Sequence, residues 1–170
     1  MNEMPGRRRP GAFKLPGVTD RPALFAFEGD FQTDLRCIPM VVRHRLDEVG
    51  IKMTLKEWVR LGPESRAEIL AGVPAAEFAA TVRALVERRM GAPPADCAVD
   101  PAPAWADRDT IPTEVLAKAA AERVTLTPQQ WSGLAPLQRF ALYKLSRSSH
   151  KNENFVPACR EFGVLPGAVA

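Results

Sequence analysis

Two stretches, Thr54-Leu55-Lys56-Glu57-Trp58-Val59-Arg60-Leu61-Gly62-Pro63-Glu64-Ser65-Arg66 and Thr127-Pro128-Gln129-Gln130-Trp131-Ser132-Gly133-Leu134-Ala135-Pro136-Leu137-Gln138-Arg139, lie 73 residues apart and follow one plan. Each opens on Thr with Glu or Gln three residues later, the capping box in which side chains and backbone amides satisfy one another. Each then carries Trp and Leu on a short helix, breaks, and restarts at Pro. Proline suits a first helical turn because the amide it lacks would be unpaired there anyway. The same offset aligns Ile38-Pro39 with Ile111-Pro112 and Val42 with Val115 without a gap. Of the 33 pairs from 38/111 to 70/143, eight are identical, and five of these fall in the two windows quoted. The pattern predicts an all-α protein, a single domain of about seven or eight short helices. Two tandem copies of one helical unit, about 38–90 and about 111–163, are expected in a pseudo-twofold relation. Neither unit is large enough to stand alone, so both apolar faces are expected to meet in one shared core. Trp58 and Trp131 are its expected anchors.

Outward from these windows the apolar spacing stays helical. Val41, Val42, Leu46 and Val49 share a face of a helix opened near Pro39 and stopped by Gly50. Phe78, Val82, Leu85 and Val86 make the stripe of a helix over 75–90. In the second half, helices are predicted over 112–122, 136–146 and 154–162, the last closed by Gly163. Residues 91–110 contain Pro93, Pro94, Pro101 and Pro103 and read as a linker. Trp105 is expected to staple that linker to the core. Leu24, Phe25, Phe27 and Phe31 predict an extended arm laid on the helices, and the alternating segments 51–53 and 124–126 predict a small ribbon between them. Residues 1–22, with Pro5, Pro10, Pro16 and Pro22, are expected to be disordered, leaving 23–165 as the helical domain.

The net charge of +3 resides entirely in that tail, where Arg7, Arg8, Arg9, Lys14 and Arg21 oppose Glu3 and Asp20. From Ala23 onward the chain is neutral, which argues against a nucleic-acid-binding face on the fold. No run of about 18 apolar residues is available to span a membrane, and the arginines precede no apolar stretch of a signal peptide. Three widely spaced cysteines, Cys37, Cys97 and Cys159, speak against a disulfide framework and for a reducing compartment, the cytoplasm.

No catalytic constellation is legible. Phosphate-binding loops, metalloprotease pairs and nucleophile elbows are absent, and no cofactor is implied. Cys37, His44, His150 and Cys159 lack the short paired spacing of a zinc site. His44 adjoins an apolar helical stripe and is expected on the helix surface. His150 sits in Ser146-Arg147-Ser148-Ser149-His150-Lys151-Asn152-Glu153-Asn154, either a hydrogen-bonded corner between apolar helices or a recognition surface.

Three groups of residues resemble a known family. They are Phe27-Glu28-Gly29-Asp30-Phe31 with Leu35-Arg36-Cys37-Ile38-Pro39-Met40-Val41-Val42-Arg43; Leu46-Asp47 with Gly50-Ile51-Lys52 and Trp58; and Leu137-Gln138-Arg139-Phe140-Ala141-Leu142 with Lys144-Leu145-Ser146-Arg147, Ser149-His150 and Asn154-Phe155. Together they look like the nitrate reductase-associated protein family, whose pattern has Pro where Ser148 stands here. The resemblance implies a non-catalytic cytoplasmic accessory of assimilatory nitrate reductase, a molybdenum- and iron–sulfur-containing enzyme. Carried over residue by residue, it marks Arg36, Cys37, Arg147, Ser149, His150 and Asn154 as partner-binding positions. The rival readings are a helix-turn-helix regulator, which the neutral fold disfavours, and an enzyme using Cys37 or His150.

Overall fold

The computed structural model describes residues 24–31, 35–147 and 153–166; the tail 1–22 lies outside the described residues. In chain order, a 3-10 helix (Ala26–Phe31) is followed by α1 (Met40–Glu48), β1 (Ile51–Lys52), α2 (Leu55–Leu70) and α3 (Ala75–Met90). Then come β2 (Ala95–Asp96), α4 (Thr113–Ala121), α5 (Pro128–Gly133), α6 (Pro136–Ser146) and α7 (Phe155–Glu161). Among the described residues no helix is long and apolar enough to cross a membrane.

Local chemistry explains the helix boundaries. Thr54 and Thr127 are N-caps with nearly equal backbone angles (φ/ψ −83/157° and −87/155°), and each heads a complete capping box. Pro39 and Pro112 precede α1 and α4 in the same extended conformation. Gly62, at φ +83° and ψ 165°, breaks α2 into two pieces where the sequence predicts a break before Pro63. A left-handed φ of this kind is open to glycine without steric cost. Gly50, at φ +66°, follows the end of α1, and its carbonyl accepts the Cys97 amide at 2.9 Å.

Buried side chains form two clusters rather than the single shared core expected from the duplicated pattern. One gathers α1, α2 and α3 around Trp58, the other α4 to α7 around Trp131, and both indoles are 0% exposed. The halves meet where α1 packs along α6, which also carries α4 and α7. Phe140, Ala141 and Leu142 of α6 are accordingly closed to solvent.

Three expectations need correction. The segment around Phe25 and Phe27 is a 3-10 helix and not an extended arm, although it does lie on a helix: both rings pack against Phe162, with centroids 4.9 and 6.0 Å away. The ribbon pairs β1 antiparallel with β2 in the linker, Ile51 opposite Asp96, and 124–126 takes no part. His44 is not a helix-surface residue. Its side chain is only 17% exposed and lies edge-on to Trp105 and Phe140, with centroids 5.0 and 4.9 Å away. Trp105 thereby fastens the linker across the junction of the halves.

Candidate functional site

A tryptophan and an arginine pin the incoming chain in each half. Trp58 Nε1–H donates to the Leu35 carbonyl at 2.6 Å, and the buried Arg66 reaches the same carbonyl through Nη1 at 2.9 Å. In the second half Trp131 Nε1–H donates to the Asp107 carbonyl at 2.9 Å, while Arg139 holds the Trp105 and Leu134 carbonyls. Leu35, at φ +50°, is held in the left-handed region that a branched residue seldom adopts. This anchorage places Arg36, Cys37 and Ile38 ahead of α1.

The 3-10 helix forms the opposite wall. Glu161 of α7 accepts the amides of Ala26 and Phe27 at 2.7 and 2.9 Å. Glu28 then turns toward α1: Oε1 accepts the Met40 amide at 2.8 Å and Oε2 accepts the Phe25 amide at 3.1 Å. Pro39 has no side-chain oxygen to offer, so a carboxylate twelve residues upstream satisfies the first turn of α1, where negative charge also meets the positive helix end. Burial pushes the Glu28 carboxyl above its ordinary range despite these amides and the nearby Arg43.

Between these walls lies an open cleft of about 680 Å³. It brings together three sequence-predicted positions, Cys37 with Arg147 and Asn154, which lie more than a hundred residues further along the chain. Arg36 is exposed beside Cys37. Arg147 caps the end of α6, its Nη1 donating to the Tyr143 hydroxyl at 2.9 Å with the guanidinium 5.2 Å from that ring's centroid. Asn154 precedes α7, and its carbonyl accepts the Ala158 amide. Ser149 and His150 lie outside the described residues.

The cleft also contains side chains not singled out from sequence. Arg43 donates Nε–H to the Ile38 carbonyl at 3.0 Å, and burial lowers its pKa against the opposing pull of Cys37, Glu28 and Asp47. Lys144 reaches Asp47 of α1 at 2.6 Å, an ion pair across the two halves. Glu28, Arg43 and Lys144 all stand in the strings that carry the family resemblance, but no local pattern reveals that a glutamate will cap a helix twelve residues away. Among the described residues no three His, Cys, Asp or Glu side chains converge as a metal-binding group. Cys159 is enclosed in the second core, where burial pushes its thiol up to about 11.

The model of a family described as conserved nitrate reductase-associated protein matches residues 24–162. The chain belongs to this family. No curated protein and no solved structure matches it. The family match spans every cleft residue from Leu24 to Asn154. The nitrate reductase-associated family is described by an association and not by a reaction.

Proposed function

We propose that this protein is a non-catalytic accessory of assimilatory nitrate reductase, the molybdenum- and iron–sulfur-containing enzyme, and that it docks directly on that enzyme or its unfinished form in the cytoplasm. The observation that carries this reading is the convergence of Cys37, Arg147 and Asn154 on one cleft within a family described by its association with nitrate reductase. Arg36 beside the cleft, with Ser149 and His150 between two of its residues in sequence, completes the docking surface. Guanidinium groups there are suited to charge-assisted hydrogen bonds with a partner.

The two halves descend, on this reading, from one duplicated helical unit. Matching capping boxes, buried tryptophans and carbonyl-binding arginines at a constant offset of 73 residues support it. The two units differ at the cleft: Arg43 of the first lines it, and Leu116 stands at the corresponding position of the second.

The test compares Arg147→Ala and His150→Ala for stability, nitrate reductase activity in cells, and co-purification. Both variants should melt within a few degrees of the parent, as surface substitutions do, while activity and co-purification fall. Unfolding of both would make the turn structural and remove the docking assignment. Folded variants with undiminished activity and capture would refute the docking itself.

A further inference from the structure

The docking reading leaves open what the partner inserts. Among the described residues that line the cleft are three cations, Arg43, Lys144 and Arg147, and one carboxylate, Glu28, with Asp47 close to Arg43 and Lys144. Glu28 is already committed to two backbone amides. Lys144 is shared with Asp47 in a partly exposed ion pair, an arrangement that contributes little in water. Arg43 is the sharper signal. Its Nη groups make no hydrogen bond among the described residues, although the guanidinium is drawn from solvent against α1. A guanidinium that has lost part of its hydration and keeps a free donor fork is ready for a carboxylate. Beside it the wall is apolar, with Phe27, Ile38, Met40 and Leu145.

We propose that the cleft binds an acidic peptide segment of the partner, placing a carboxylate on Arg43 and Arg147 and an adjacent apolar side chain against Phe27, Met40 and Leu145. This rests on the docking reading for the identity of the partner but not for the chemistry of the cleft. The volume, about 680 Å³, accommodates a few side chains and far exceeds a single small inorganic anion. Charge complementarity selects the occupant: a basic segment would meet the cations of Arg43, Lys144 and Arg147, and a purely apolar one would leave the Arg43 fork dry and unpaired.

The probe is a displayed library of random octapeptides selected on the whole protein, followed by affinity measurements on the enriched sequences. Peptides with Asp or Glu next to an apolar residue should be enriched and should bind about tenfold more weakly to Arg43→Gln, the loss of one charge-assisted pair. Arg147→Gln, on an exposed side chain, should weaken them as well, so a misfolded Arg43 variant cannot mask the answer. Binding should fall as salt rises. Failure to enrich any peptide, enrichment of peptides without acids, or affinities indifferent to both substitutions would overturn the proposal.

Capture of nitrate reductase on the same variants separates the two readings. Capture that persists through both substitutions, with no acidic peptide enriched, leaves the partner standing and removes the acidic segment. Arginine-dependent peptide binding without any capture of nitrate reductase keeps the cleft chemistry and removes the partner.

Discussion

Arg66 and Arg139 allow the pinning of the chain in the two halves to be tested by energy as well as by shape. Arg66 and Arg139 are 8% and 7% exposed, and each donates two hydrogen bonds to backbone carbonyls, one at a helix break (Gly62, Leu134) and one on the incoming chain (Leu35, Trp105). Replacing either by Met keeps most of the apolar stem and removes both bonds. At about 1.5–3 kcal/mol per bond from a charged donor, each substitution should cost roughly 3–5 kcal/mol. For a chain of this size that corresponds to a melting temperature lower by about 10 °C.

The acceptors then predict different couplings. Trp58 and Arg66 share the Leu35 carbonyl, so either single variant leaves that oxygen with one donor. Removing both orphans it. Trp58→Phe combined with Arg66→Met should therefore cost about 1 kcal/mol more than the sum of the single variants. Trp131 and Arg139 hold different carbonyls, so Trp131→Phe with Arg139→Met should come closer to additivity. Urea unfolding of the six variants and the parent measures both cycles. Arginine variants that lose less than about 1 kcal/mol, or a larger coupling in the second half, would refute this account of how the chain is pinned.

Glu28 supplies a pH signature. Its folded pKa is raised above the ordinary value near 4.5, so the folded state holds the proton more tightly and its contribution is fully present in acid. That contribution should fade as pH rises from about 4.5 through the folded pKa, and the melting difference between the parent and Glu28→Gln should shift in favour of the variant. A difference moving the other way would mean that the Met40 and Phe25 amides outweigh burial. Gly50→Ala should cost at least about 1–2 kcal/mol for its left-handed φ. The new Cβ would also stand 2.8 Å from the Cys97 carbonyl oxygen; proteolysis should then cut the linker near Cys97 faster, and unchanged stability and cleavage would refute the contact. Alkylation at pH 8 should modify the exposed Cys97 first and the half-buried Cys37 more slowly. It should spare Cys159, whose thiol sits near 11, until the protein unfolds. Early labelling of Cys159, followed by mass spectrometry, would show that the second core opens.

What could be read in the residues was local. Thr54 with Glu57, Thr127 with Gln130, and the prolines that open helices act through bonds spanning three or four residues, and their outcomes stand at the expected positions. Apart from the stretch around Phe25 and Phe27, whose alternation reads as extended but which forms a 3-10 helix, the corrections are tertiary. Alternation at 124–126 carries no information about where the partner of Ile51–Lys52 lies, and that partner came from the linker, through the Gly50 carbonyl and Asp96. His44 looked like a surface residue because the aromatic neighbours that cover it, Trp105 and Phe140, are 61 and 96 residues away in sequence. The duplicated pattern suggested facing units and a common core, but α1 and α4 both settle on α6, and each half closes on its own tryptophan.

The same limit applies to the site. The resemblance marked Cys37, Arg147 and Asn154, while the residues that set the cleft's chemistry, Glu28, Arg43 and Lys144, stood unremarked in the same strings. Glu28 matters because it does two things with one carboxylate. It completes the start of α1, which Pro39 cannot do, and it fixes the 3-10 helix that walls the cleft. Its carboxylate is occupied by amides, and the Arg43 side chain donates to the Ile38 carbonyl, its one hydrogen bond among the described residues. The Arg43 fork in the cleft thus follows from how the helix is capped. The second unit, with Leu116 where Arg43 would stand and 44% exposed, has no such need. The capping of one helix in the first half shapes the surface on which the proposed docking depends.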